Sequence, residues 1–207
     1  MDSESLPWEA IYRREGRVLE EPFPRFDELV EIYVQHGCKR LLDLGCGTGR
    51  HVVHLTKAGF WVCGLDSAST GLRLAREWLE DEKLSAVLVR ADMRMRLPFR
   101  EAAFDGIIST QVIHHARLET IRRTIAELKR VLVSGGVIFV TVPIRFHPQE
   151  ANREIERGTF LPLEGAERGL PHHIFTLEEL QAEFNDLDIQ EVSVRGDVVI
   201  ALTAIKR

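Results

Sequence analysis

The chain has 207 residues, 44% of them hydrophobic, and a formal net charge of −5; this length and apolar content suit one globular α/β domain, and the charge offers no general attraction for nucleic acid. No apolar run is long enough for a bilayer-spanning helix, and the first residues are acidic and polar where a secretory signal would be basic and then apolar. The cysteines (Cys38, Cys46, Cys63) lack C-x-x-C spacing, so buried reduced thiols in a cytoplasmic protein are expected, with no disulfide frame, no cysteine metal site and no membrane partner.

Residues 1–38 form an N-terminal extension. Trp8 and Tyr12 are four apart and share one face if the segment is helical; they either cover a ligand or pin the extension to the sheet. A helical pattern follows from Phe26 to His36. Arg40 to Leu44 then reads as a buried strand that runs into Gly45, Gly47 and Gly49, with a helix-compatible segment, Arg50 to Ala58, directly behind. Glycines at this spacing let the backbone turn sharply and lie against a ligand, and the helix start offers unpaired N–H groups. The G-x-G-x-G spacing differs from the G-x-G-x-x-G of dinucleotide folds.

Phe60 to Leu65 is a second strand ending in Asp66, which lies about 20 residues past the first loop glycine, where an acid can accept from ribose hydroxyls. Asp66 or Ser67 could equally cap the next helix. Ser85 to Arg90 is a third strand, closed by Ala91-Asp92-Met93, and Phe104 to Ser109 a fourth, followed by Thr110-Gln111-Val112-Ile113-His114-His115. Apolar residues at helical spacing run from Ile121 to Val131, Ser134-Gly135-Gly136 makes a turn, and Val137 to Val142 is a fifth strand. The segment 143–175, broken by Pro148, Gly158, Pro162, Gly165, Gly169 and Pro171, is long for a connection and reads as a lid or substrate loop. Thr176 and Glu179 form a capping box for a helix to Phe184. Asp188 to Val194 and Val198 to Ile205 are two strands around Arg195-Gly196-Asp197. Strands alternating with helices imply a parallel sheet.

Asp43-Leu44-Gly45-Cys46-Gly47-Thr48-Gly49 resembles the first motif of class I S-adenosylmethionine-dependent methyltransferases. Phe104-Asp105 to Ser109 with the trailing His114-His115, and Leu128 to Gly136, resemble later motifs of the small-molecule members. The resemblance runs from Leu41 to Pro143 and weakens on both sides. It implies a three-layer αβα sandwich with a seven-stranded, mostly parallel sheet and a C-terminal antiparallel hairpin. Within one domain, 1–207, it implies a cap (1–38), a cofactor-binding half (39–142), a lid or substrate loop (143–175) and a C-terminal helix and hairpin (176–207). The implied cofactor is S-adenosylmethionine, with S-adenosylhomocysteine as product. Asp43, Gly45, Cys46, Gly47 and Gly49 would form its cradle, Asp66 and Ser67 would meet the ribose, and Asp92 and the Met93 N–H the adenine. Gln111 would lie beside the amino group, and Tyr12 near the sulfonium or carboxylate.

Methyl transfer is an in-line displacement whose leaving group departs neutral, so the enzyme aligns the reactants and, for some acceptors, removes a proton. His114, His115 and His173 are the candidates for that work, since imidazole titrates near neutrality. The pairs His114-His115 and His172-His173 have no standard metal-ligand spacing, and no acid or cysteine stands beside them in the chain, so no metal is expected. Arg90, Arg94, Arg96 and Arg100, with Arg122, Arg123, Lys129 and Arg130, read as solvated surface charge more readily than as a polyanion-binding face. No N-P-P-Y or D-P-P-Y follows the fourth strand, and no cysteine lies near strands four or five, which argues against DNA-base methylation. A small-molecule acceptor and no nucleic-acid partner are therefore expected. The competing readings are an RNA (tRNA) methyltransferase, a non-catalytic cofactor-binding partner subunit and an NAD-dependent oxidoreductase.

Overall fold

The computed structural model describes residues 7–145 and 151–207; residues 1–6 and 146–150, including Pro148 of the expected loop, lie outside the described residues. Seven strands form the main sheet: β1 (Arg40–Leu44), β2 (Trp61–Asp66), β3 (Val87–Arg90), β4 (Phe104–Thr110), β5 (Leu132–Pro143), β9 (Asp188–Arg195) and β10 (Val199–Ile205). Their order is β3-β2-β1-β4-β5-β10-β9. The first five strands pair in parallel, and β10 runs antiparallel to both β5 and β9. This is the expected sheet with its terminal hairpin.

The alternation of side chains along a strand assigns the two apolar cores. Leu42 and Leu44 of β1 enter a core with Ile121, Ile125 and Leu128 of α5 (Leu118–Val131) and Leu180 of α6 (Leu177–Glu183). Leu41, one residue out of phase, enters the other. There it meets Leu29 and Tyr33 of α2 (Phe26–Gln35), Val52 and Leu55 of α3 (Arg50–Lys57) and Leu72 of α4 (Ser69–Asp81). Helices therefore cover both faces, as a mostly parallel sheet buried on both sides requires. All three cysteines are buried and unbridged; burial pushes the Cys38 thiol up to about 11 and that of Cys63 up to about 12.

One expectation is revised and another is made more detailed. Ser134-Gly135-Gly136 is not a free turn before a strand at Val137, because β5 already begins at Leu132. The glycines form an irregularity within it: pairing jumps from Phe104↔Leu132 to Gly106↔Val137. The Gly135 N–H donates to the Lys206 carbonyl at 2.7 Å, so the end of the chain satisfies the displaced backbone. The segment 143–175, expected as a lid or substrate loop, has secondary structure of its own. It carries a small antiparallel sheet, β6 (Asn152–Glu156), β7 (Thr159–Pro162) and β8 (His172–His173), in the order β6-β7-β8. The Glu156 carboxylate accepts from the Leu118 N–H at 2.7 Å and from Arg117 at 3.2 Å, fastening the small sheet to the start of α5.

The extension begins with α1 (Pro7–Glu15), which packs on α4. Glu9 accepts from the Thr70 N–H at 3.0 Å and the Thr70 hydroxyl at 2.7 Å. A carboxylate from another helix thus caps the start of α4, where the helix dipole favours negative charge.

Candidate active site

The C-terminal ends of β1, β2, β3 and β4 open on one cavity of about 200 Å³, the position where open α/β sheets bind ligands. Its floor is the glycine loop. Gly45 and Gly47 have φ of +71° and +52°, a region that a side chain rarely adopts. A Cβ on Gly47 would stand 2.5 Å from the Tyr12 hydroxyl, and one on Gly45 would collide with the Val112 side chain. Gly49 has another task. Its missing Cβ would lie 2.7 Å from the Ala75 Cβ, so it lets the loop approach α4, and it does not line the cavity.

Asp66 ends β2 with both oxygens engaged. Oδ2 accepts from the Gly47 N–H and Oδ1 from the Ala68 N–H, each at 2.8 Å. Burial pushes its carboxyl up, and these backbone donors oppose the shift. Asp66 therefore holds the turn that precedes the next helix without capping it, since Ala68 is the N-cap position, and it faces the cavity with Ser67. Asp92 lines the wall at the end of β3 and is clamped by Arg94, whose backbone N–H donates at 2.9 Å and guanidinium at 2.7 Å. Hydrogen bonds from Arg94 hold the Asp92 carboxyl low against the opposing effect of burial. Met93 lies next to it on the same wall.

Gln111 follows β4 at φ +58°. A non-glycine residue there stores about 1–3 kcal/mol, held here by bonds from its N–H to the carbonyl (3.0 Å) and hydroxyl (3.1 Å) of Thr141. The strained turn brings Gln111 and Val112 to the cavity. Trp8 and Tyr12 close another side, their ring centroids 5.4 Å apart. The extension both covers the cavity and is pinned to α4.

Some expected residues stand elsewhere. Asp43 is buried within β1 and does not line the cavity; burial first, then the Asp66 charge, push its carboxyl up to about 7. Its Oδ2 is buried with no hydrogen-bond partner. Among the expected histidines His115 lines the cavity, whereas His114 and His173 stand behind it. The His173 N–H donates to the His114 carbonyl at 2.9 Å, and its Nδ1 meets the Thr159 hydroxyl at 2.8 Å. Arg50, absent from the expected set, lines the cavity and donates to the Thr110 hydroxyl at 3.4 Å. Its signal was positional, the first residue after Gly49. Leu170 also lines the wall, and nothing local in the sequence marks it; Arg94 lines it too, although it was expected as solvated surface charge.

The residues fit a nucleoside ligand. Side-chain-free backbone faces the cavity, a carboxylate stands at two strand ends, and a guanidinium and two aromatic rings flank them. This is the arrangement of a nucleoside-cofactor site on a doubly wound sheet.

Residues 42–140 match the family described as methyltransferase domain, the family type that the glycine loop resembles. A protein from Pyrococcus horikoshii OT3 superposes with a TM-score of 0.76 at 17% identity, over 96% of this chain and 99% of that one. An S-adenosylmethionine-dependent methyltransferase from Methanosarcina mazei gives 0.73 at 22% identity, over 90% and 98%. Among curated relatives, the probable tRNA methyltransferase 9B of Bos taurus is 32% identical over 118 residues, 56% of this chain and 23% of its own. Glycine/sarcosine N-methyltransferase of Aphanothece halophytica is 32% identical over 108 residues, 51% of this chain and 41% of its own. The chain spans less than half the length of either curated relative. No described helix is long and apolar enough to cross a membrane.

Proposed function

We propose that the protein transfers a methyl group from S-adenosylmethionine to a small-molecule acceptor, which enters beside His115. The observation that carries this reading is that one cavity joins the nucleoside end, Asp66 and Asp92, to an imidazole, His115. In this reading Asp66 accepts from the ribose hydroxyls through its remaining lone pairs, with Ser67 beside it. Asp92 takes the adenine amino group and the Met93 N–H a ring nitrogen. The backbone of Gly45, Cys46 and Gly47 lies under the methionine part, the backbone around Gln111 accepts from its amino group, and Arg50 pairs with its carboxylate. Asp43 and Gly49 shape the loop from behind. Trp8 and Tyr12 offer ring faces to the sulfonium, worth about 1–2 kcal/mol when desolvated.

When bound, S-adenosylmethionine would supply an electrophilic methyl group on a neutral thioether leaving group, and a nitrogen of His115 would accept the proton of an acceptor O–H or N–H. Burial, with His172 adding to it, holds the His115 imidazole well below its usual range. It is neutral at pH 7 and able to accept. His114 and His173 position the loop that carries His115.

A tRNA acceptor is the second reading, favoured by the similarity to the probable tRNA methyltransferase 9B. Against it, four of the eight basic residues considered for a polyanion-binding face are held in ion pairs: Arg94 with Asp92, Arg122 with Glu183, Lys129 with Asp186 and Arg130 with Glu127.

Calorimetric titration with S-adenosylmethionine, S-adenosylhomocysteine and NAD in parallel tests the cofactor, with the sulfur compounds alone expected to bind. Binding of NAD alone overturns the reading in favour of an oxidoreductase. Labelled methyl transfer into a small-metabolite extract or into bulk tRNA then separates the acceptors. Cofactor binding with transfer to neither favours a non-catalytic partner subunit.

A further inference from the structure

Behind the His115 wall, side chains from two distant parts of the chain converge. His114 and His115 follow β4, and His172 opens β8. One ligand atom from each lies within 4.8 Å of the other two, and all three residues are buried. Ring centroids are 3.9 Å apart for His114–His115, 4.7 Å for His115–His172 and 5.4 Å for His114–His172. Glu167, from the connection between β7 and β8, adds a carboxylate. Its Oε1 lies 3.6 Å from the His115 Nε2 and its Oε2 lies 3.6 Å from the His172 Nε2. Those separations exceed a hydrogen bond, so the carboxylate faces two imidazoles without closing on either.

Burial is the first cause of low basicity in all three rings; neighbouring imidazoles add to it for His114 and His115, and His172 falls to about 4. Among the described residues the buried His114 Nδ1 has no hydrogen-bond partner, a state rare in native interiors. Neutral imidazole is the form that ligates metals. Three imidazoles and a carboxylate are a donor set for a borderline divalent ion. Ligand atoms at about 2.1 Å from a tetrahedral ion stand about 3.4 Å apart, so the group closes on an ion by side-chain rotation of about 1 Å.

We propose that His114, His115, His172 and Glu167 form a binding site for a divalent transition-metal ion of the zinc or iron(II) class. The expectation of no metal rested on ligand spacing along the chain, and folding supplies what that spacing lacks. Because His115 also lines the cofactor cavity, the ion lies at its wall. With the ion bound, the His115 lone pair is spent on it, so an acceptor would enter already deprotonated, its anionic oxygen or sulfur as a further ligand in place of proton transfer to His115, which limits acceptors to those with such an atom. This last step rests on the methyl-transfer reading, whereas the site itself does not.

The test is titration of the untagged, chelator-stripped full chain with Co²⁺, followed by visible absorption. We expect saturation at one ion per chain, d–d bands of a four- or five-coordinate ion, and displacement by Zn²⁺. His114→Ala and His172→Ala should each weaken binding about tenfold or more, and Glu167→Gln should weaken it as well. Absence of bands in the wild type overturns the proposal, as does their persistence in the His114→Ala/His172→Ala double variant. Should either histidine variant fail to fold by circular dichroism, Glu167→Gln on the half-exposed carboxylate decides, and unchanged affinity there refutes the site. Calorimetry with S-adenosylmethionine on the same samples reads the other hypothesis separately. Co²⁺ bands without cofactor binding keep the site and remove the methyl-transfer reading; cofactor binding without bands does the reverse.

Discussion

Replacing Asp66 by alanine removes a carboxylate with two assignments. In the free protein it accepts from the Gly47 and Ala68 N–H groups, both at 2.8 Å and both bonds buried. Each buried donor left alone costs about 1–3 kcal/mol, so the variant should lose about 2–4 kcal/mol of stability in urea unfolding and still fold. In the proposed complex the carboxylate would also accept from the ribose. Hydrogen bonds to a charged group are worth about 1.5–3 kcal/mol net, so affinity for the cofactor should fall by about tenfold to a hundredfold. Calorimetry should find the same loss for S-adenosylmethionine and S-adenosylhomocysteine, because the ribose is common to both. Asp66→Asn keeps one acceptor oxygen and should recover part of the stability with little of the affinity. An alanine variant that folds and binds like the wild type would refute the ribose assignment, and a loss confined to S-adenosylmethionine would relocate Asp66 to the sulfonium.

Asp92→Ala should weaken cofactor binding about tenfold with little change in urea midpoint, since its partner Arg94 is half-exposed; unaltered affinity by calorimetry would remove Asp92 from the adenine site. His115→Gln should lower kcat far more than it raises the KM for cofactor and should flatten the acid limb of the pH–rate profile. An unchanged profile would mean that His115 carries no proton. Asp43, pushed up to about 7 from 3.8, favours the folded state at low pH, and that contribution is lost as pH rises from about 4 through about 7. The gap corresponds to about 4 kcal/mol. Asp43→Asn should therefore gain stability relative to wild type at pH 8 and little at pH 4, as read by urea unfolding at both values; a pH-independent difference would show that Asp43 ionises as an ordinary surface acid. Glu9→Gln should loosen α1, seen as faster amide exchange at Trp8 and Tyr12, and protection equal to wild type would mean that apolar packing alone seats the helix.

The strand ends were legible because their information is local. Asp43 to Gly49, Asp66 and Asp92 each sit where a strand pattern stops, and the parallel order of β1 to β4 then carries those ends to one side. The loop glycines illustrate the limit. Gly45, Gly47 and Gly49 look alike in sequence, yet two face the cavity and the third faces Ala75, a difference set by which helix packs behind them. Asp43 reads as part of the cradle but is inside the sheet, because strand alternation buries it. The 143–175 segment was the least legible. Its short strands carry glycines, prolines and charges, and its order comes from partners elsewhere, Glu156 on α5 and the His173 N–H on the His114 carbonyl. Glu167 could not be associated with His115 by any spacing rule, since nothing but the finished fold brings them together.

The position of β10 has a consequence for assembly. It follows β9 in the chain yet lies inside it in the sheet, between β5 and β9, so among the described strands β9 is paired to the sheet through its successor alone. The hairpin must form first or β9 must wait unpaired, and either route ties closure of the sheet to a long-range docking on β5 of the kind that slows folding. A chain shortened before Val199 thus forfeits two strands and exposes the flank of β5 with its apolar run Val137 to Val142. Such an uncovered edge recruits other chains, and truncation here should show itself as aggregation before any loss of ligand contacts is felt.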